Sequence, residues 1–473
     1  MIKPAFLLRA AALMALASTV LLGGCMSFIP AYQRPAAPVP TAYAPELAAS
    51  GAAGSLAADI DWQQYFADAR LRRLIAIALA NNRDLRVAAL NIEQTRAAYQ
   101  IRKADELPTL GVGASAQRVA GASGSLIRSY AVGAQMTAYE LDFFGRVRSL
   151  SQAALAQYLA TVEARQTVQI ALVASVANAY VNLLADAELL RVTGDTLQTR
   201  EASFKLVELK FENGAASELD RSQAAQLLEG ARVSLAQTTR QRALDENALV
   251  LLLGQALPAD AGPAVPLSAR QTLVDLPAGL PSDLLERRPD VRAAEQQLIA
   301  ANANIGAARA AFFPRISLTA NAGTASTDLG RLFASGTFAL TGGATLLQPL
   351  FDAGRNQANL EVARINREIA LAQYEKAIQT AVREVSDALA GRATLTEQLR
   401  AQVAQARAAQ TSFKLAELRY RQGASSYLDV LDAQRALFAS EQASVQVQTL
   451  QVQNLLTLYK VLGGGWTSTP ATN

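Results

Sequence analysis

The sequence predicts a mixed α and β membrane protein with an internal two-fold repeat. Four β-strands per chain close with those of two further copies into a twelve-stranded transmembrane β-barrel, and long α-helices continue it. Three observations predict this. The chain contains itself twice, each half carries two alternating strand-length runs, and each half holds a proline-free stretch longer than any ordinary globular helix. The repeat is explicit: Ser203–Asp220 returns as Ser412–Asp429, and 12 of 24 residues are identical between 203–226 and 412–435. Asn82–Arg86 answers Arg288–Arg292, Leu107–Leu110 answers Phe313–Ile316, and Gly145-Arg146 answers Gly354-Arg355. The offset changes from 206 to 209 between Pro108 and Gly145, which marks a variable loop there. Such a period is too long for a solenoid and points to a duplicated half in a pseudo-symmetric assembly.

Residues 1–24 read as a signal peptide, with Lys3 and Arg9 ahead of an apolar stretch from Ala10 to Leu22. Leu22-Gly23-Gly24-Cys25 then places small residues before the single cysteine. The site reads either as an ordinary cleavage region or as a lipobox whose Cys25 becomes the acylated N-terminus, a stable membrane anchor. Residues 25–60 follow as a tether rich in Pro, Ala, Ser and Gly. Met26, rather than aspartate, follows the cysteine, as in lipoproteins sent to the outer membrane.

The first repeat spans 61–257 and opens with helices over 70–81 and 84–105, the second ending before Pro108. Its hairpin, at about 109–141, alternates Leu110, Val112, Ala114 and Ala116 with Gly111, Gly113, Ser115 and Gln117. After a loop expected over 120–129 the alternation resumes at Tyr130. A linker (258–279) leads to the second repeat, 280–466, whose hairpin at about 315–348 alternates in the same way. Residues 467–473 form a tail. Ten-residue runs with one small, polar face fit transmembrane strands, and also a soluble amphipathic hairpin. The even-numbered residues, such as Val132 and Leu340, are expected to face lipid. In both halves a long helix then runs to a glycine, Gly214 or Gly423, and a second helix follows, expected to end with Gly254 or Gly463 as its cap. In the last helix Leu431, Phe438, Val445, Val452 and Tyr459 recur every seven residues, the spacing of a coiled coil.

An open four-stranded sheet cannot persist in hydrocarbon, because its edges stay unsatisfied. Two copies would give eight strands and a lumen filled with side chains. Three copies give the smallest closed barrel with room for a conduit, so a homotrimer is expected.

Composition removes other classes. Without Lys3 and Arg9 the formal charge falls from +4 to +2, and no basic run with interleaved aromatics suggests nucleic-acid binding. Histidine is absent, which excludes histidine metal sites and histidine general bases. No enzyme activity, cofactor or metal is expected. A lipid-anchored periplasmic coiled-coil scaffold or adaptor is the alternative from another class, and the four strands argue against it.

Leu280–Glu295 and Ala301–Ile316 resemble the signature of the TolC-like outer membrane factors, of the OprM/NodT efflux lipoprotein type. Gly423–Arg435, Tyr459–Trp466, Asp61-Trp62 and Ala80–Arg86 carry the same likeness, which covers essentially the whole mature chain. The resemblance implies a trimer in the bacterial outer membrane, with a twelve-strand barrel, a helical periplasmic tunnel and outer membrane lipids around it. It implies docking to a periplasmic adaptor (membrane fusion) protein and to an inner-membrane pump of the resistance-nodulation-division class. The duty implied is a passive exit duct for drugs or other small toxic compounds; a type I protein-secretion exit channel would use the same fold.

Leu428, Asp432 and Arg435 share one helical stripe through their i, i+4 and i+7 spacing. The spacing alone also fits a solvated helix face. The resemblance places the constricting leucine and aspartate rings of a periplasmic gate in this stretch. The other half has Leu219, Gln223 and Gln226 at the equivalent positions, and is expected to line the aperture rather than lock it.

Overall fold

The alternating runs form one antiparallel sheet. The computed structural model describes residues 27–40, 42–43, 57–120, 126–258, 276 and 281–465. Cys25 lies outside them, as do most of the linker and the C-terminal tail. Strands β1 (Leu110–Ala120), β2 (Leu126–Leu141), β3 (Arg315–Ser326) and β4 (Phe338–Leu347) are ordered β1-β2-β3-β4. Each repeat supplies a hairpin, and β2 pairs with β3 across the repeats. The expected loop over 120–129 proves shorter, because pairing continues through Gln117↔Ser129 and Arg118↔Arg128 to Ala120↔Leu126. Polar residues there interrupt the alternation without interrupting the backbone ladder.

Both repeats place their helices in the same order. Helices α1 (Trp62–Tyr65), α2 (Ala69–Asn81) and α3 (Arg83–Ala104) precede β1, and α4 (Arg146–Glu212) and α5 (Glu218–Leu253) follow β2. In the second repeat α6 (Pro281–Arg287) and α7 (Pro289–Ala310) precede β3, and α8 (Arg355–Arg421) and α9 (Tyr427–Val461) follow β4. Helix α2 starts because the Asp68 carboxylate accepts from the Arg70 and Leu71 amides at 2.8 and 3.3 Å. It buries Leu71, Leu74, Ile75 and Ala78, the single face that i, i+3, i+4, i+7 spacing creates. Helices α4 and α8 run unbroken for 67 residues each. One stretch of α4 is apolar and long enough to cross a membrane, yet Val173, Val176, Ala177, Tyr180 and Val181 within it are buried in the protein core. Gly254 caps α5 in the left-handed conformation (φ +67) as expected. At α9 the cap falls one residue earlier than expected, on Leu462, and Gly463 takes the left-handed turn (φ +84) just beyond it.

The chain divides across its repeats. One compact unit takes the N-terminal residues through Ala36, Asn91–Val162 and Ala293–Glu375, and so contains the whole sheet. The other takes Ala37–Leu90, Glu163–Arg292 and Lys376–Asn473, and contains both helical tips.

In the first unit, part of the expected tether is a docked strap. Phe28 stacks on Phe313 with ring centroids 4.6 Å apart, and Phe313 stacks on Phe144 at 4.8 Å. Residues 28–34 then run along one stripe of α7. The Phe28 carbonyl accepts from Arg309 at 3.2 Å, and the Pro30 carbonyl accepts from Asn302 at 2.8 Å. Ile29 fills the space where a side chain on Gly306 would stand. Arg34 pairs both its Nε and Nη2 with the buried Glu295 carboxylate at 2.8 Å, and the Tyr32 hydroxyl donates to it at 3.0 Å. Composition alone reads such a segment as a free linker; these partners lie some 260–280 residues away in sequence.

Candidate functional site: a two-faced sheet and a helical tip

Register sorts the sheet's side chains by chemistry. Leu110↔Met136, Val112↔Ala134 and Ala114↔Val132 put even-numbered apolar residues of β1 and β2 on one face. Val132↔Thr324, Ala134↔Ala322, Ala322↔Leu340 and Thr324↔Phe338 extend that face across β3 and β4. The opposite face holds Ser115, Gln117, Gln135, Thr319, Asn321 and Thr341. Gly133 and Gly323 lie opposite each other, and a β-carbon on Gly133 would stand 2.5 Å from the Ala322 carbonyl, so only glycine fits there.

The even-numbered rule breaks once. A bulge between Met136 and Tyr139, with Ala138 at φ +53, shifts the register so that Tyr139 and Leu141 join the apolar face. Glu140 thereby pairs with Ser317 on the polar face instead of standing on the apolar one. There it accepts from Arg146 at 2.8 and 2.6 Å and pairs with Arg315 at 2.6 Å, tying β2, β3 and the start of α4 together. The sequence shows a lone carboxylate near a strand end, but the bulge that re-aims it is visible only in the pairing.

In the second unit the four helix ends of both repeats meet. Val207 of α4, Ala224 and Leu227 of α5, and Tyr427, Val430 and Leu431 of α9 form a buried cluster, flanked by Phe413, Ala416 and Tyr420 of α8. Burying one such leucine stabilises the tip by about 1.5–3 kcal/mol. Burial also pushes the Tyr427 phenol up to about 12, with Tyr420 and Asp220 adding to the shift. Because Tyr427, Val430, Leu431 and Gln434 face this core, Leu428, Asp432 and Arg435 face outward, and all three are exposed. Arg435 donates to Asp432 at 3.3 Å within the same helix. The equivalent Leu219 and Gln226 are exposed, and Gln223 is half-buried. The structure thus puts both triplets on their helices' outer faces, and the carboxylate and guanidinium pair in one of them.

Sequence reasoning missed Arg200. This buried α4 residue donates to the Leu227 carbonyl of α5 at 2.9 Å and lies 5.1 Å above the Phe438 ring of α9. One turn on, Gln434 of α9 donates to Ser203 of α4 at 3.0 Å. Loss of water and the nearby Arg435 lower the Arg200 pKa. Three helices must meet before this contact exists, so no local signal announces it.

Residues 74–255 and 280–464 match the family model described as "Outer membrane efflux protein". The chain belongs to that family. It is 49% identical over 465 residues to the toluene efflux pump outer membrane protein TtgC of Pseudomonas putida, covering 96% of each chain. The solved structure of a membrane protein from Pseudomonas aeruginosa superposes with a TM-score of 0.87 at 44% identity, covering 94% of this chain and 100% of that one. The open-state MtrE outer membrane channel of Neisseria gonorrhoeae superposes at 0.85 with 40% identity, covering 93% and 98%. This outer membrane efflux protein is therefore a TolC-like outer-membrane protein with a periplasmic portion, and the family consists of channels rather than enzymes.

Proposed function

We propose that three copies of this chain form a passive exit duct for small toxic compounds, the outer component of a tripartite efflux pump. The observation that carries this reading is the sheet: one apolar face, one polar face, and two free edges at β1 and β4. Such edges are costly in hydrocarbon, and joining β1 of one copy to β4 of the next satisfies them without further chain. Three copies supply twelve strands, a polar lumen and an apolar exterior. The relative TtgC bears the name of a toluene pump component, which favours small-molecule efflux over protein secretion and a scaffold role. An inner-membrane transporter of the resistance-nodulation-division class and a periplasmic adaptor would supply energy and connection.

Native mass spectrometry in detergent should report trimers; a clean monomer or dimer would rule the duct out. Cys25 is the proposed lipid anchor, and Cys25→Ser should abolish labelling by radioactive palmitate while strand insertion persists. Labelling retained in that variant would place the lipid elsewhere.

At the tip, three Leu428 side chains form an apolar plug and three Asp432 carboxylates a ring beneath it. Carboxylates about 6 Å apart repel by about 3 kcal/mol per pair at an effective dielectric near 20. The Arg435 contact at 3.3 Å offsets that repulsion. Gln223 and Gln226 bring no charge, so their hairpin lines the aperture. The relative MtrE has been solved in an open state, which supports an aperture with more than one position.

A further inference from the structure

The first hairpin carries an unexplained charge. Between Leu110 and Tyr139 the only ionisable residues besides the tyrosines are Arg118 and Arg128. They are directly opposite each other in the register, at the turn end of the hairpin and remote from the helices. Both are exposed. Both fall on the even-numbered face, in line with Leu110, Val112, Ala114 and Ala116. Like charges directly opposite on one face destabilise a strand pair. No carboxylate among the described residues pairs with either, and the connecting residues 121–125, Gly-Ala-Ser-Gly-Ser, hold none. The second hairpin differs: there Asp328 and Arg331 occupy the connection between the strands and balance in charge.

Height decides what such a pair meets. Eight residue steps separate Leu110 from Arg118, about 26 Å along the strand at roughly 3.3 Å per residue and about 20 Å of height at the usual barrel tilt of roughly 40°. The apolar band of an outer-membrane barrel is about 25 Å tall. The backbone of the pair therefore lies about 5 Å below the outer border of that band, on the side away from the helices, and the long arginine stems carry both guanidiniums from the lipid face to its edge. Paired guanidiniums match a phosphate, whose oxygens accept charge-assisted bonds from both forks.

We propose that Arg118 and Arg128 form a binding site for the phosphate of a glycolipid headgroup in the outer leaflet. The site rests on the membrane-strand reading of the sheet. A bound phosphate replaces the repulsion with two charge-assisted contacts and ties Arg118 of β1 and Arg128 of β2 to the membrane surface. Three copies would carry three such sites around the barrel, each on a first-repeat hairpin.

Native mass spectrometry of the full-length protein tests this with three probes: a diphosphorylated acylated glucosamine disaccharide, its dephosphorylated counterpart, and inorganic phosphate. The wild type should retain the phosphorylated lipid and release the dephosphorylated one. Arg118→Gln with Arg128→Gln should weaken retention roughly a hundredfold, the order set by losing two charge-assisted contacts, while trimers still form. Equal retention of the phosphorylated lipid by wild type and variant would overturn the site. So would equal retention of the dephosphorylated lipid. Displacement of the lipid by millimolar inorganic phosphate would assign the site to free phosphate and overturn the lipid assignment. Failure of the wild type to assemble as a trimer would instead bring down the barrel reading itself.

Discussion

The two helical tips of this molecule are the same turn built twice with different outer surfaces. After α4, the Gly214 amide donates to Phe211 at 2.9 Å and Ala215 to Lys210 at 2.7 Å; after α8, Gly423 donates to Tyr420 at 3.1 Å and Ala424 to Arg419 at 2.8 Å. Both glycines are left-handed, at φ +69 and +71, as this paired helix-ending motif requires. The backbone geometry has thus survived duplication. The outward stripe has not: Leu219, Gln223 and Gln226 stand where Leu428, Asp432 and Arg435 stand in the other copy. Nor have the ties between repeats. Arg200 reaches Phe438 from α4 to α9, but the positions that would mirror this contact are Ala409 and Glu229. Duplication supplies a symmetric frame, and divergence gives the two hairpins unequal outer surfaces.

The largest expected effect breaks that inequality at the stripe. Leu428→Ala with Asp432→Ala should raise single-channel conductance in planar bilayers severalfold, whereas Leu219→Ala with Gln223→Ala should change it much less. Equal changes from the two pairs would mean that the hairpins share the aperture; no change in either, with trimers intact, would sink the gate.

A smaller effect should be symmetric. Gly214→Ala and Gly423→Ala each force a β-carbon into the left-handed region, costing about 1–2 kcal/mol. Thermal unfolding of the two variants should shift by similar amounts, and a large disparity would show that one turn is held by more than its backbone.

The smallest effect separates the helix starts. The Ser217 hydroxyl accepts from the Asp220 amide at 3.1 Å and the Asp220 carboxylate accepts from the Ser217 amide at 3.0 Å, a complete capping box. Ser426 makes no such side-chain bond at the start of α9. Ser217→Ala should therefore cost about 1 kcal/mol, and Ser426→Ala only a fraction of that. Equal losses in chemical denaturation would indicate that Ser426 also caps α9 in solution.

The legible parts of this protein were those whose signal is local. Alternation announces β1 to β4, the absence of proline announces α4 and α8, and glycine marks both tips, because each follows from period or backbone freedom within a few residues. The i, i+4, i+7 spacing likewise put Leu428, Asp432 and Arg435 on one face. What stayed hidden depends on residues distant in sequence. The bulge at Ala138 exists only in the pairing of β2 with β3, so the sidedness of Glu140 could not be read from parity. Arg200 looks like any helix arginine until α5 and α9 close over it. Residues 28–34 look like a linker until the stripe of α7 receives them.

That strap changes the geometry of attachment. A lipid on Cys25 of a free tether would leave the folded body wandering at the end of some thirty residues of slack. With Phe28 fixed against Phe144 and Phe313, only three residue steps separate Cys25 from the docked strap, about 10 Å when fully extended. A lipid on Cys25 would then act as a mooring of set length. A newly delivered subunit would be held upright at the bilayer surface with the base of its sheet at one height, so that its search for neighbouring copies becomes a sliding motion in two dimensions.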